Sequence, residues 1–265
     1  MKISVQTLVM GLTAGLCLSA APASAFTVLI DFGLSTGHAQ GTTTPVTSGI
    51  YWNNVTSTAH GAPVANLSVP SELLTTAGEL SGVGISLASG QWSSAGFANG
   101  GLRSANYLST LVIDGISIEV ESATEDYFFS DYNNPASLTL SGLDPSSTYT
   151  LSLWGTRAAA DPARWTSYTV TDFSGSSSQN LQTSGTGAGA GGYNGNNDTL
   201  IVFENLQPAI DGTLTLAVES VNQSGDPRWG YLGVLGLTQV PEPGSAMLAG
   251  LGGLALAFRR GRRER

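Results

Sequence analysis

Lysine, histidine and cysteine are almost absent from this chain of 265 residues. It contains one cysteine, two histidines and one lysine, and only 11% of its residues are charged. Because Cys17 has no second cysteine to pair with, the fold must be stabilised by its core alone. A serine nucleophile would depend on His38 or His60, and both lie among glycine, threonine and alanine. The sequence therefore predicts that the chain is not an enzyme.

Positive charge is also scarce through the long middle of the chain. Residues 26–239 contain 17 acidic residues against four arginines and no lysine, a formal charge of −13. Such a charge disfavours nucleic acid and anionic membrane surfaces as partners. Glu119 and Glu121 lie two residues apart on a predicted strand and share one face, whereas glycosidases need two carboxylates across a cleft.

Residues 1–25 have the three parts of a secretory signal peptide. Lys2 provides a positive start, residues 8–21 are apolar, and residues 23–25 form a small-residue cleavage site. We expect a signal-peptide helix that signal peptidase removes, leaving Phe26 as the first residue of the exported chain.

Residues 244–258 form an uninterrupted apolar run with no charge. A helix of this length spans about 22 Å, somewhat less than the roughly 30 Å hydrocarbon layer of a bilayer. The run therefore predicts a short transmembrane helix, with a buried helix as the alternative. The basic tail 259–265 follows it and should stay on the cytoplasmic side. Its membrane-stop cluster consists of Arg259, Arg260, Arg262 and Arg263.

Pro241, Glu242 and Pro243 stand directly before the apolar run. The proline rings favour an extended backbone that a membrane protease could bind, although a simple helix entry would explain them too. Residues 240–265 therefore resemble a PEP-CTERM sorting signal. They have its parts in the same order, which are the motif 241–243, the helix 244–258 and the basic tail. The resemblance implies export by a Gram-negative bacterium, transient residence in the inner membrane, processing by an exosortase, and delivery to the cell surface or an extracellular, exopolysaccharide-containing matrix.

The middle of the chain, 26–239, is rich in glycine, serine, threonine and asparagine, and short β-branched or aromatic runs recur between turns. It predicts one all-β domain, a two-sheet jelly-roll-like β-sandwich. The predicted strands are 26–32, 83–88, 111–121, 137–141, 148–155, 165–171, 199–204, 213–220 and 230–238. Residues 174–197 are predicted to be a long flexible loop, and a helix is the alternative for 101–112.

Several segments of this domain resemble a poorly characterised family of secreted bacterial β-sandwich proteins. They are 123–129, 138–149, 154–157, 167–170 and 231–233. The resemblance implies a galactose-binding-like or jelly-roll architecture and no established reaction.

Trp52 and Trp92 are the candidate glycan-binding residues. Sugars stack on exposed aromatic faces, and both tryptophans lie in turn-like or glycine- and serine-rich surroundings. Packing in the core is the alternative for each ring.

Calcium is the one cofactor that the sequence suggests, and only weakly. Asn194, Asn196 and Asp198 offer oxygen ligands around a glycine, and Asp31 could add a carboxylate. A solvated asparagine-rich turn explains the same residues, so no cofactor is the main expectation.

Together these features predict an exported surface protein with a structural or adhesive role in the envelope or exopolysaccharide matrix. A carbohydrate-binding module is the alternative, and a hydrolase of extracellular polymer is a more distant one.

Overall fold

The computed structural model describes residues 25–35, 41–58, 67–95, 100–131, 134–158, 163–221 and 229–240. Fifteen strands, a single α-helical turn, α1 (Glu121–Thr124), and two 3-10 turns, Ser104–Asn106 and Ala190–Gly192, lie among them. The strands are β1 (Thr27–Leu34), β2 (Asn53–Ser57), β3 (Gly84–Leu87), β4 (Trp92–Ala95), β5 (Val112–Ile113), β6 (Ile116–Ser117), β7 (Tyr127–Asp131), β8 (Ala136–Ser141), β9 (Thr148–Trp154), β10 (Arg164–Asp172), β11 (Gly175–Ser184), β12 (Ile201–Leu206), β13 (Leu214–Val221), β14 (Trp229–Leu232) and β15 (Val234–Val240).

Two five-stranded sheets share one apolar core. The first sheet has the order β12-β9-β15-β1-β2, and the second has the order β11-β10-β13-β8-β3. Strands β8 and β13 alternate buried and half-buried residues, as strands with one face in a core do. Their inward side chains meet those of β1, β9, β12 and β15 in one cluster. The described part of the chain is therefore all-β with almost no helix, consistent with the predicted β-sandwich.

The first sheet is covered on its outer face as well. Every residue of β1 is buried, because Val28, Ile30 and Phe32 point into the shared core while Leu29 belongs to a second cluster. That cluster also contains Trp52 and Trp154. Its remaining side chains are Leu102, Leu111 and Ile118 from irregular segments, Ile113 from β5, Ala123 from α1 and Val234 from the start of β15.

A three-stranded sheet, β14-β7-β4, carries a small aromatic cluster. Tyr127 and Tyr231 meet edge to face with ring centroids 5.0 Å apart. The guanidinium of Arg157 donates to the Tyr127 hydroxyl at 3.1 Å, and that of Arg164 donates to the Tyr231 hydroxyl at 2.5 Å. Both tyrosines are buried, and the partly buried rings of Phe129 and Trp229 pack against them, so this cluster joins the sheet to its neighbours.

Most predicted strands are confirmed with small shifts at their ends, but four segments differ from their predictions. The predicted strand 230–238 is divided at Gly233 into β14 and β15, which belong to different sheets. Residues 174–197 are not one flexible loop, since 175–184 form β11, the edge strand paired with β10. Residues 111–121 are not one long strand, because Asp114 and Gly115 have φ values of 49° and 76° and turn β5 back onto β6. The helix considered for 101–112 is a single 3-10 turn, Ser104–Asn106.

Several predictions fall outside the described residues. They concern the signal peptide 1–25 apart from Ala25, the motif Pro241–Pro243, the transmembrane helix 244–258 and the basic tail 259–265. The two histidines, His38 and His60, also lie outside the described residues. Within the ranges that the structure does describe, no helix is both long and apolar enough to cross a membrane.

Candidate functional site

A groove opens where two irregular segments meet beside the first sheet. Its walls are residues 105–108 and 190–194, with Ala158 and Asn197 between them, and its volume is about 420 Å³. This volume lies within the range of small-ligand sites in proteins.

Two tyrosines form the aromatic part of the groove and are held in fixed positions. The Tyr107 hydroxyl lies 3.0 Å from the Thr124 hydroxyl, and the Tyr193 hydroxyl donates to the Gly101 carbonyl at 3.1 Å. Both rings are half-buried and pack on the outer cluster of the first sheet. Each ring is thus anchored at its polar end and keeps part of its surface available to the groove.

An asparagine joins the two walls. The side-chain oxygen of Asn197 accepts from the Ala190 amide at 3.0 Å, and its nitrogen donates to the Asn106 carbonyl at 3.1 Å. Since Asn197 is buried, these bonds fix the separation of the walls. Asn194 is exposed at the rim, where its amide can reach a ligand.

Glycine permits the sharp course of the second wall. Gly191 and Gly192 have φ values of 66° and 82°, a region that side chains other than glycine rarely adopt. The first wall is held differently, because the Glu119 carboxylate accepts from the Leu108 and Ser109 amides at 3.1 and 2.8 Å.

The lining is uncharged. Among the described residues that line the groove there is no acid, histidine, cysteine or serine. Burial raises the pKa of Tyr193 to about 12 and raises that of Tyr107 also, so both hydroxyls are neutral at physiological pH. The groove can donate and accept hydrogen bonds and stack a ring, but it offers no general acid or base.

The sequence did not identify these tyrosines, and the tryptophans that it did identify are not exposed. Trp52 and Trp92 each expose 2% of their surface. Trp52 packs in the outer cluster, while Trp92 packs in the shared core and donates its indole N–H to the Ser137 carbonyl at 2.9 Å. The expectation of exposed loop aromatics is wrong for both, so neither ring can stack on a sugar in this conformation.

The residues predicted as calcium ligands lie in different surroundings. Asn196 is buried, and its side-chain oxygen already accepts from the Thr199 amide at 2.9 Å within a turn. Asp198 is exposed and accepts from the Thr199 hydroxyl. Asp31 instead lies fully buried in β1. No group of three or more histidine, cysteine, aspartate or glutamate side chains suited to a metal occurs in the described part of the chain.

Asp31 and Asp126 form an unusual buried pair on the outer face of the first sheet. Burial, followed by the nearby Glu125 carboxylate, raises the pKa of Asp31 to about 7. Burial and then the charge of Asp31 raise the pKa of Asp126 well above its ordinary value. The charged groups that act on the pair are all carboxylates, whereas hydrogen bonds from Thr42 and Leu34 lower the pKa values of Asp31 and Asp126.

Residues 239–263 match the PEP-CTERM protein-sorting motif. The resemblance drawn from the sequence is thereby confirmed, and the chain carries a motif that indicates export and sorting to the cell surface. No curated protein matches the chain.

Several solved structures share loose similarity with the sandwich, and three of them illustrate its extent. TmCBM61 in complex with beta-1,4-galactotriose is 16% identical, with 61% of this chain and 90% of that chain covered at a TM-score of 0.32. The CBM22-1 xylan-binding domain of Xyn10C from Paenibacillus barcinonensis is 13% identical, with coverage of 58% and 89% and a TM-score of 0.28. The enzymatically active domain of tailspike protein 4 from bacteriophage CBA120 is 11% identical, with coverage of 60% and 20% and a TM-score of 0.27. At these TM-scores no ligand or activity carries over to this chain.

Proposed function

We propose that the chain is an exported protein that exosortase delivers to the surface of a Gram-negative cell, where its jelly-roll-like sandwich binds a neutral glycan in the groove. Signal peptidase would release it from residues 1–25, and residues 244–258 would hold it in the inner membrane until processing near 241–243. Glycan binding would give it an adhesive or structural role in an exopolysaccharide matrix.

The groove is the observation that carries the glycan part of this proposal. Its fixed tyrosine rings suit the apolar faces of a sugar ring, and its amides suit the hydroxyl groups. Its neutral lining matches a neutral ligand, and the acidic domain around it would repel a polyanion. Binding without catalysis follows because no described lining residue can act as an acid, base or nucleophile.

The position of the groove agrees with surface display. Strand β9 begins at Thr148, which pairs with Val240, and ends at Trp154, which pairs with Val234. The groove residue Ala158 follows the Trp154 end, and Asn196, next to Asn197, donates to the Gly155 carbonyl at 3.2 Å. The groove therefore lies beyond the end of β9 that is remote from Val240, where the sorting motif continues the chain.

Glycan binding is tested by screening the purified full-length chain against neutral and uronate-containing polysaccharides. Tyr193→Ala should weaken binding to a neutral glycan by about tenfold or more, because stacking area is lost. Asn194→Ala, at the exposed rim, should weaken binding without lowering the melting temperature. Phe173→Ala is the matched control, since this ring is 65% exposed in the turn that joins β10 to β11. Equal binding by wild type and both groove variants, or no binding to any glycan, would refute the proposal.

Sorting is tested separately by mass spectrometry of the protein recovered from cells with and without an exosortase. We expect a new terminus near residues 241–243 only when the exosortase is present, and its loss after replacement of Pro241, Glu242 and Pro243 by alanine. A chain that ends at Arg265 in both strains would contradict processing.

A further inference from the structure

Three buried side-chain oxygens on the outer face of the first sheet have no hydrogen-bond donor. They are the Oδ1 atoms of Asp31, Asn54 and Asp126. An oxygen that is removed from water and given no donor destabilises the folded state, and native structures contain few of them. Three such oxygens in one small area indicate that another group binds them.

The strand register places the first two oxygens side by side. Asp31 in β1 is the direct partner of Asn54 in the parallel strand β2, so both side chains leave the same face of the sheet. Asp126 reaches the same face of the sheet from the segment that precedes β7. Its carboxylate lies against Gly33, two residues after Asp31 on that face, where a Cβ atom would collide with it.

Backbone groups fix each of these side chains by its other polar atom. The Thr42 amide donates to Asp31 Oδ2 at 2.9 Å, and the Leu34 amide donates to Asp126 Oδ2 at 2.5 Å. The Asn54 side-chain nitrogen donates to the Thr42 carbonyl at 2.9 Å. The three residues are thus held in place while one oxygen of each is left over. Asp31 and Asp126 expose 0% and 1% of their surface, so bulk water does not supply the missing partner.

The left-over atoms are two carboxylate oxygens and one amide oxygen, which are the ligands that hard divalent cations prefer. We propose that Asp31, Asn54 and Asp126 bind one divalent cation, Ca²⁺ by the chemistry of these ligands, and that the ion joins β1, β2 and the segment that leads into β7 beneath the segment at Thr42. This site differs from the asparagine-rich turn at 194–198, where the Asn196 oxygen is already used. It is also independent of the proposed glycan groove.

Ca²⁺ fits this place better than Mg²⁺ for two reasons. Calcium accepts irregular arrangements of carboxylate, amide and carbonyl oxygens, whereas magnesium needs near-octahedral geometry and keeps several waters. Asp31 and Asp126 are almost completely buried, so protein oxygens rather than several waters would have to complete the coordination shell. The cation would also neutralise two carboxylates that otherwise repel each other.

The test compares thermal unfolding of the purified full-length chain at pH 7.5 after EDTA dialysis, with and without millimolar CaCl₂ or MgCl₂. We expect Ca²⁺ to raise the melting temperature by about 5–10 °C and Mg²⁺ by much less. Isothermal titration calorimetry should give one Ca²⁺ per chain. Asp31→Asn and Asp126→Asn should each abolish the calcium-dependent shift, and Asp198→Asn, the matched control at the alternative turn, should preserve it.

Asn54→Asp separates a bound cation from a proton shared by the two carboxyls. With a cation, the added carboxylate should tighten Ca²⁺ binding by about tenfold or more. With a shared proton, the added carboxylate would only increase the repulsion, so the variant would lose stability with or without Ca²⁺. Wild type would then show no calcium-dependent shift in melting temperature. That result overturns the proposal, as does a shift that persists in both Asp31→Asn and Asp126→Asn.

Discussion

The two faces of the first sheet bury their apolar side chains by different means. The inner face packs on a second sheet, so regular strands meet regular strands in one core. The outer face is covered by irregular segments, a short hairpin and one helical turn. Because irregular backbone leaves amides and carbonyls that no ladder satisfies, polar side chains enter the outer layer with it. Both the groove and the Asp31–Asp126 pair are built there, so both proposed binding sites belong to the outer layer.

The largest expected effect tests whether the outer layer is a true second core. Phe32→Ala, on the inner face, should lower the free energy of unfolding by about 3–5 kcal/mol. Trp52→Ala, on the outer face, should cost about as much, since Trp52 is only 2% exposed. Urea unfolding followed by circular dichroism measures both values. Leu80→Ala, at a residue that is 70% exposed, serves as the control. A cost below about 1 kcal/mol for Trp52→Ala would show that the outer layer is a loose cover.

The next effect concerns pH and distinguishes the polar outer layer from the apolar core. The folded-state pKa of Asp31, about 7, lies above its ordinary value of 3.8, so the folded state binds this proton more tightly than the unfolded state does. The resulting stability is complete below about pH 4 and is lost as pH rises through about 7. In EDTA we expect the free energy of unfolding to fall by a few kcal/mol over this interval.

Asp31→Asn should flatten this pH dependence, because an amide does not titrate. Asp211→Asn, at an exposed turn, should leave it unchanged. Saturating Ca²⁺ should also remove the decline in wild type, since the cation would stabilise the ionised carboxylates. Stability in EDTA that rises with pH across this interval would contradict the assignment.

The smallest effect compares one tryptophan from each region. Trp92, in the inner core, donates its indole N–H to the Ser137 carbonyl, whereas the indole N–H of Trp154, in the outer layer, is buried with no partner. Trp92→Phe should therefore cost about 1 kcal/mol more than Trp154→Phe, once the similar loss of ring area is subtracted. Equal costs would indicate that the Trp154 indole N–H finds a hydrogen-bond acceptor, such as a water molecule, in solution.

The inner core could be predicted from the sequence because its strands alternate apolar and polar residues. Strands β8 and β13 follow this pattern and lie where it predicts them. Leu143 and Leu206, which lie next to turns, are buried as well. Period-two alternation is a local property, and a single sequence displays it directly.

Strand β11 could not be predicted in this way. Its first six residues are all exposed, so no alternation marks them. Pairing with β10 holds the strand, and hydroxyl pairs such as Thr169 with Ser178, 2.8 Å apart, support it across the strands. Such pairing depends on a partner strand that the local sequence does not reveal.

The candidate sites depend on tertiary contacts in the same way. Tyr107 and Tyr193 come from distant segments that only the fold brings together. Trp52 and Trp92 have the glycine- and serine-rich neighbours typical of loops, yet other parts of the chain cover both rings. Composition indicates local backbone preference, whereas exposure is decided by what packs on top. Asp31 was noticed as an oxygen ligand, but its register with Asn54 was not visible in the sequence.

Strand β15 lies in the middle of the first sheet, bonded to β9 on one edge and to β1 on the other. The chain passes from it at Val240 directly into the segment that holds Pro241–Pro243, with no spacer, and Phe26 lies beside this exit because its carbonyl accepts from the Gln239 amide at 2.9 Å. A mechanical load between a bound ligand at the remote groove and residue 240 would run parallel to β15. Hydrogen bonds to both neighbouring strands stand perpendicular to that direction, so they would be sheared together rather than peeled apart one at a time. The sandwich is therefore oriented to resist tension along the line between the groove and the sorted end of the chain.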